Sequence, residues 1–240
     1  MKMGIWADLQ LDMAERRMVA LVGGGGKTST LYALAHEARA AGRTVLVTTT
    51  THIMPPPGLP LTDELPALPA LLRTHGAAVL GRFDRPDKLS GVGDPAAYKS
   101  LADTVVVEAE GARTLPLKAP ADHEPAIPDC ADAVVAVAGL DSLGRPVGET
   151  CHRPELVCAL LGVDAAHLVT TADIAAILAS PRGGRKAVGE GRPFRCLLNK
   201  ADTPALRSAG AETAALLARQ GIFACVHSYS EKERGGKCWF

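Results

Sequence analysis

Four consecutive glycines, Gly23, Gly24, Gly25 and Gly26, run directly into Lys27, Thr28 and Ser29, and a short apolar segment ending at Val22 precedes them. Glycines placed this way let the backbone turn its N–H groups toward an anion. The helix expected after Lys27 adds the partial positive charge of its N-terminus at the same spot. A lysine here would bridge neighbouring phosphates, and the Thr28 hydroxyl would ligate Mg²⁺. The residues read as a phosphate-binding loop for a magnesium-complexed nucleotide. The spacing is G-x-x-G-K-T, shorter than the usual G-x-x-x-x-G-K-[ST], whose first glycine is replaced here by Leu21.

Such a loop needs a carboxylate at the end of a neighbouring strand to hold the metal or its water. The run Val105-Val106-Val107-Glu108 supplies one, and the chain continues Ala109-Glu110-Gly111. Glu108, which ends the apolar run, is preferred over Glu110 as the metal-side carboxylate. The E-x-x-G spacing puts a Gly111 amide within reach of a terminal phosphate. Arg113 is a candidate for neutralising transition-state charge, as is Arg153, although either could equally pair with a surface carboxylate.

Asn199-Lys200-x-Asp202 follows a late apolar strand and has the form of the guanine-reading motif N-K-x-D. An Asp carboxylate accepts both donors on the guanine edge, while adenine would leave it buried and unpaired. The other reading of Asp202 is a cap for the helix that Pro204 opens. The Ser-Ala-Lys triplet that usually follows near the last strand is absent, which weakens GTP against ATP. Thr50, Thr51 and His52 end the second strand on the edge where ligands bind in such sheets, and are candidate substrate contacts. Lys118, His123 and Glu124 lie in a proline-punctuated loop and are further candidates for acid–base or substrate work.

The elements that must position these residues alternate. Apolar runs at residues 17–22, 44–49, 77–81, 104–108, 132–138, 195–198 and 222–227 read as strands. Helical spacing marks residues 28–41, 63–73, 153–161, 171–179 and 203–220. The expected fold is α/β, a P-loop NTPase-like open and mostly parallel sheet with helices on both faces, in one domain over residues 1–240. Proline-rich functional loops are expected at about 52–62 and 109–128. Apolar residues make up 47% of the 240 and aromatics 4%, which suits buried parallel strands under Ala-rich helices. Twenty-six basic residues balance 26 acidic ones, so no overall field favours nucleic acid or an anionic membrane. Residues 1–17 do not read as a signal peptide, and no run is long enough to span a bilayer. The six cysteines lack C-x-x-C or zinc-ligand spacing and read as free thiols of a cytoplasmic protein, several of them buried, with Cys238 a candidate for exposure.

The segments LVGGGGKTS, VLVTTTTHI, VVVEAEGARTLPLKAPADHEPAIP, GLDSLGRPVGETCHRPE and LLNKAD, in order from Leu21 to about Asp202, resemble the YqeC family. That family is described as an accessory, or selenium cofactor biosynthesis, protein for selenium-dependent molybdenum hydroxylases. The resemblance implies a partner among those enzymes or their cofactor machinery. The E-x-x-G and N-K-x-D elements are also similar to metallochaperone GTPases serving hydrogenase, urease and cobalamin enzymes, while the short G-x-x-G-K-T resembles the ATP-using Mur ligases. Factors of the first kind often dimerise across the nucleotide, so a homodimer is compatible with the class. The expected function is an Mg²⁺-dependent maturation factor that binds and slowly hydrolyses GTP or ATP. The alternatives are an ATP-dependent kinase or ligase acting on a small molecule, and a non-catalytic nucleotide-binding adaptor.

Overall fold

A computed structural model describes residues 4–55 and 58–229. Pro56 and Pro57 of the first proline-rich connection and the tail that carries Cys238 lie outside the described residues. In chain order the first strands are β1 (Met18–Gly23), β2 (Val45–Thr49), β3 (His52–Ile53), β4 (Leu61–Thr62), β5 (Ala77–Leu80), β6 (Arg82–Arg85) and β7 (Lys88–Ser90). They are followed by β8 (Thr104–Glu108), β9 (Leu117–Lys118), β10 (Ala133–Gly139), β11 (Cys151–His152), β12 (Phe194–Asn199) and β13 (Phe223–Val226). The helices are α1 (Ile5–Asp8), α2 (Lys27–Ala40), α3 (Leu68–His75), α4 (Pro95–Leu101), α5 (Val147–Thr150), α6 (Pro154–Leu161), α7 (Thr171–Ala179) and α8 (Pro204–Ala218).

Eight strands form one sheet in the order β13-β12-β10-β1-β8-β2-β5-β4, and every pairing in it is parallel. Side chains alternate across a strand, so each central strand feeds two cores. Met18, Ala20 and Val22 of β1 join Val105, Val107, Val134 and Ala136 on the face covered by α3, α4, α6, α7 and α8. Val19 and Leu21 join Val106, Val135 and Val137 on the face covered by α1 and α2. Burial on both faces explains why these strands read as unbroken apolar runs.

All-parallel pairing carries every strand's C-terminal end to one edge. In register, Leu21 lies opposite Glu108, and Glu108 opposite Thr49. On the other side of β1, Gly23 lies opposite Val137, and Gly139 opposite Asn199. From β1 the chain crosses through α2 to β2, two places away. From β8 it later passes to β10 on the opposite flank of β1. This reversal puts the glycine loop at a switch point, where open α/β sheets leave a crevice for ligands.

The expected strands and long helices are present with ends shifted by a residue or two. The helix expected over residues 63–73 is a 3₁₀ turn at Leu65–Ala67 followed by α3, because Pro66 and Pro69 each lack a donor and occupy first-turn positions. The polar stretch after β5 is an antiparallel hairpin, β6 with β7, which β3 extends to three strands. Two helices that periodicity does not reveal, α1 and α5, have only four residues each. Helix α4 carries a readable start, Asp94 accepting from the Ala96 amide with Pro95 at the first position. No helix among the described residues is long and apolar enough to cross a membrane.

Candidate functional site

The glycine loop joins β1 to α2 by backbone geometry that only glycine adopts at ease. Gly25 (φ 72°) and Gly26 (φ 129°) lie in the left-handed half of φ space. A Cβ on Gly25 would sit 2.3 Å from the Gly139 amide nitrogen, and one on Gly26 would sit 2.0 Å from Asn199 Nδ2. The expected inward ring of loop amides is only partly realised. The Gly24 N–H donates to the Val137 carbonyl (2.8 Å) and the Gly25 N–H to the Leu115 carbonyl (3.0 Å), as buried backbone donors require a partner. The donors without a partner among the described residues are those of Gly26 and of the first turn of α2, at Lys27, Thr28 and Ser29. Its N-cap, Gly26, offers no side-chain oxygen to them.

Lys27 and Glu108 face one another in this buried corner, 5% and 6% exposed. Lys27 Nζ donates to the Gly23 carbonyl (2.8 Å) and lies 3.8 Å from Glu108 Oε1. Burial pushes the Lys27 ammonium below its usual range while Glu108 and Glu110 oppose the shift. Burial likewise raises the Glu108 carboxyl, against the pull of Lys27 and the Thr28 hydroxyl. Thr28 Oγ1 donates to Glu108 Oε2 (3.3 Å), so a hydroxyl and a carboxylate meet at the mouth of the loop. Two hard oxygens suit Mg²⁺, which takes few protein ligands and completes its shell with phosphate oxygens and water. Among the described residues no group of three or more His, Cys, Asp or Glu could hold a metal by itself. Glu110 points elsewhere: it accepts from the Gly23 N–H and pairs with Lys118 Nζ at 2.8 Å.

Asn199, the last residue of β12, is buried, and its Nδ2 donates to the Gly25 carbonyl across 2.8 Å. Its Oδ1 is buried with no hydrogen-bond partner among the described residues. Lys200 takes a left-handed backbone (φ 62°) and its Nζ lies 2.7 Å from Asp141 Oδ2. Helix α8 is capped by Thr203, whose hydroxyl accepts from the Leu206 amide at 3.2 Å, so Asp202 is not the cap. The Asp202 carboxylate instead accepts from the Ser228 hydroxyl, and its side chain stays exposed at the same sheet edge. Ser228 was invisible as a site residue because its neighbours do not spell Ser-Ala-Lys. Its position just past the last strand was the available signal.

The remaining candidates divide. Thr50, Thr51, His52, His123, Glu124 and Gly111 line one cavity of about 580 Å³ beyond the ends of β2 and β8. Lys118 stands behind its wall, 4% exposed, donating to the Gly111 carbonyl (2.7 Å) and to Glu124 Oε2 (2.8 Å). Arg153 closes on the same carboxylate, with Nη1 2.5 Å from Oε2 and Nη2 3.3 Å from Oε1. Burial would raise the Glu124 carboxyl, but Lys118 and Arg153 outweigh it and hold the group at about 2. Arg113 (φ 47°) is exposed on the loop that overlies the glycines and makes no side-chain hydrogen bond or ion pair among the described residues. Five described cysteines are free.

A family model described as YqeC protein matches residues 19–155, a span that holds the glycine loop, Glu108, the cavity-lining segments and Arg153 but not Asn199 to Asp202. A curated relative, described as "Uncharacterized protein YqeC" of Escherichia coli (strain K12), is 34% identical over 190 residues, which is 72% of this chain and 72% of the relative.

Proposed function

The chain belongs to the YqeC family, and from that premise we propose that it is an Mg²⁺-dependent nucleotide-binding maturation factor that prefers GTP to ATP and hydrolyses it slowly. One observation carries the nucleotide reading. The unpaired first turn of α2, Lys27, and the Thr28–Glu108 oxygen pair converge on the loop that Asn199 holds from two strands away. In this reading the amides of residues 27–29 and the Lys27 ammonium bind the phosphates, and Thr28 and Glu108 hold the magnesium ion, which would neutralise charge on the transferred group. Glu110 fixes the loop by holding the Gly23 amide.

The preference for guanine rests on Asp202, which no helix amide claims and which Ser228 orients. An oriented carboxylate matches the paired donors of guanine and repels the adenine edge. The client, a selenium-dependent molybdenum hydroxylase or its cofactor machinery, is proposed from the family resemblance alone. Nucleotide state would then gate delivery through the loop that overlies the glycines.

The deciding experiment is a titration of GTP and ATP with Mg²⁺ on the wild-type protein and on Asp202→Ala. Tighter binding of GTP, with the preference lost in the variant, is expected. Equal affinities in both proteins would sink the guanine reading, and failure to bind either nucleotide would sink the whole proposal. The cavity beside the loop favours a second reading, a kinase or ligase that transfers or activates with the γ-phosphoryl group. A phosphorylated product of a small acceptor, found by mass spectrometry, would select it.

A further inference from the structure

The cavity beyond β2 has a one-sided chemistry that the nucleotide reading does not use. Its polar wall includes the hydroxyls of Thr51 and Ser90, the His123 imidazole, Glu124, and the His52 imidazole, whose Nε2 lies 3.1 Å from Asp84 Oδ2. Glu124 is the one carboxylate among the described residues that line it. Two cations compensate that carboxylate, with Lys118 Nζ at 2.8 Å and Arg153 Nη1 at 2.5 Å. His123 is exposed and makes no hydrogen bond or ion pair among the described residues. With Glu124 compensated twice, His123 and the Thr51 and Ser90 hydroxyls, whose present partners lie as far as 3.4 Å away, can turn donors toward an oxyanion. Gly111 adds an independent sign. A Cβ there would meet nothing within 4 Å, and the backbone does not lie in the left-handed region. Neither packing nor conformation demands glycine, and its bare position leaves the wall open.

The same Glu124 begins a buried chain that ends at the phosphate loop. Lys118 lies 2.8 Å from Glu124 Oε2 and 2.8 Å from Glu110 Oε2, and Glu110 accepts from the Gly23 N–H. Lys118 and Glu110 are 4% and 3% exposed, so no water is at hand to absorb a displaced charge. An oxyanion arriving beside Glu124 repels that carboxylate and competes for its two cations. The altered pull on Lys118 passes to Glu110 and from there to the loop.

We propose that this cavity is a second binding site, for a small molecule bearing a phosphate or carboxylate group, and that its occupancy is coupled to the nucleotide loop through Lys118. The coupling rests on the nucleotide reading above, whereas the site itself does not.

The test begins with the full chain saturated with Mg²⁺ and a non-hydrolysable GTP analogue, so that the loop is blocked. Inorganic phosphate, and separately acetate, is titrated while the imidazole resonances of His52 and His123 are followed by NMR. Saturable shifts at both histidines are expected, weakened tenfold or more in Thr51→Val and in His123→Ala. A response to phosphate alone assigns a phosphoryl ligand, and one to acetate alone a carboxylate. No shift with either anion overturns the site. The titration is repeated without nucleotide, where phosphate that moves only the Gly24 to Thr28 amides also counts against it. For the coupling, GTP affinity is measured with and without the effective anion. A change of at least about fivefold is expected in the wild type and none in Lys118→Met. The less buried Arg153→Gln serves as the second variant should Lys118→Met fail to fold. An unchanged GTP affinity in the wild type overturns the coupling. Absence of any nucleotide binding removes the function proposed above, while the histidine shifts still report on the cavity.

Discussion

Asn199 Nδ2 donates to the Gly25 carbonyl across 2.8 Å and would stand 2.0 Å from a Cβ on Gly26, so the end of β12 and the glycine loop are built against each other. Strand β10 lies between β12 and β1, and the bond therefore reaches across a strand to lock the loop. Replacing Asn199 by Ala removes the hydrogen bond that its side chain gives the buried Gly25 carbonyl. A loss of about 1–2 kcal/mol is expected in urea denaturation, with at least a tenfold loss of nucleotide affinity. Unchanged affinity would mean that the loop holds its shape without Asn199.

Gly26→Ala tests the same contact from the other side. The substitution combines an unfavourable φ of 129° with a collision at Asn199. Gly42→Ala is the control, with φ 80° and open space around the added carbon. The control is expected to cost about 1–2 kcal/mol and to bind nucleotide normally. Gly26→Ala is expected to unfold at lower temperature than the control and to lose nucleotide binding, as read by thermal melts and titration.

Glu108 and Thr28 separate chemistry from binding. Glu108→Gln keeps the shape of the corner and removes the charge beside Lys27. Hydrolysis is expected to fall by about two orders of magnitude while nucleotide affinity at saturating Mg²⁺ changes only a few-fold. Thr28→Ala is expected to raise the Mg²⁺ concentration needed for half-maximal binding. Wild-type hydrolysis in Glu108→Gln would remove that residue from the mechanism.

Ser228→Ala leaves Asp202 without the hydroxyl that orients it. GTP affinity is expected to fall by about five- to tenfold, in keeping with one lost charge-assisted hydrogen bond, while ATP affinity stays constant. Equal losses for both nucleotides would place Ser228 in folding and not in base reading.

The pH dependence of stability follows from Glu124. Its folded-state pKa, about 2, lies below the ordinary value of 4.5. A depressed carboxylate contributes stability that is fully present above its unfolded pKa and is lost as pH falls through the folded one. The stability difference between wild type and Glu124→Gln should therefore be constant above about pH 5 and shrink between about pH 4.5 and 2. Denaturation midpoints across that range provide the measurement. A difference independent of pH would show that Lys118 and Arg153 do not stabilise the ionised form.

The corner around the glycine loop was legible as structure because its parts are local. A buried strand, glycines and Gly-Lys-Thr are adjacent in the chain, and each has a backbone reason to be there. The same holds for Glu108 at the end of an apolar run and for Asn199 at the end of another. Local reading preferred Glu108 as the last residue of its strand, and it had no rule for Glu110, which lies beyond the strand. It did not reveal the occupied amides of Gly24 and Gly25, because their acceptors, Val137 and Leu115, come from distant segments.

Chain order alone thus determined the element types, the parallel sheet class and the place of the glycine loop between a strand and a helix, because periodicity and short-range backbone rules act over a few residues. Tertiary structure decided which carboxylate meets which cation. Lys118 shared by Glu110 and Glu124, Arg153 across from Glu124, and Ser228 beside Asp202 are pairings over sequence gaps that no local rule fixes. They exist because an all-parallel sheet delivers every strand end to one edge, where desolvation makes each buried charge find a partner.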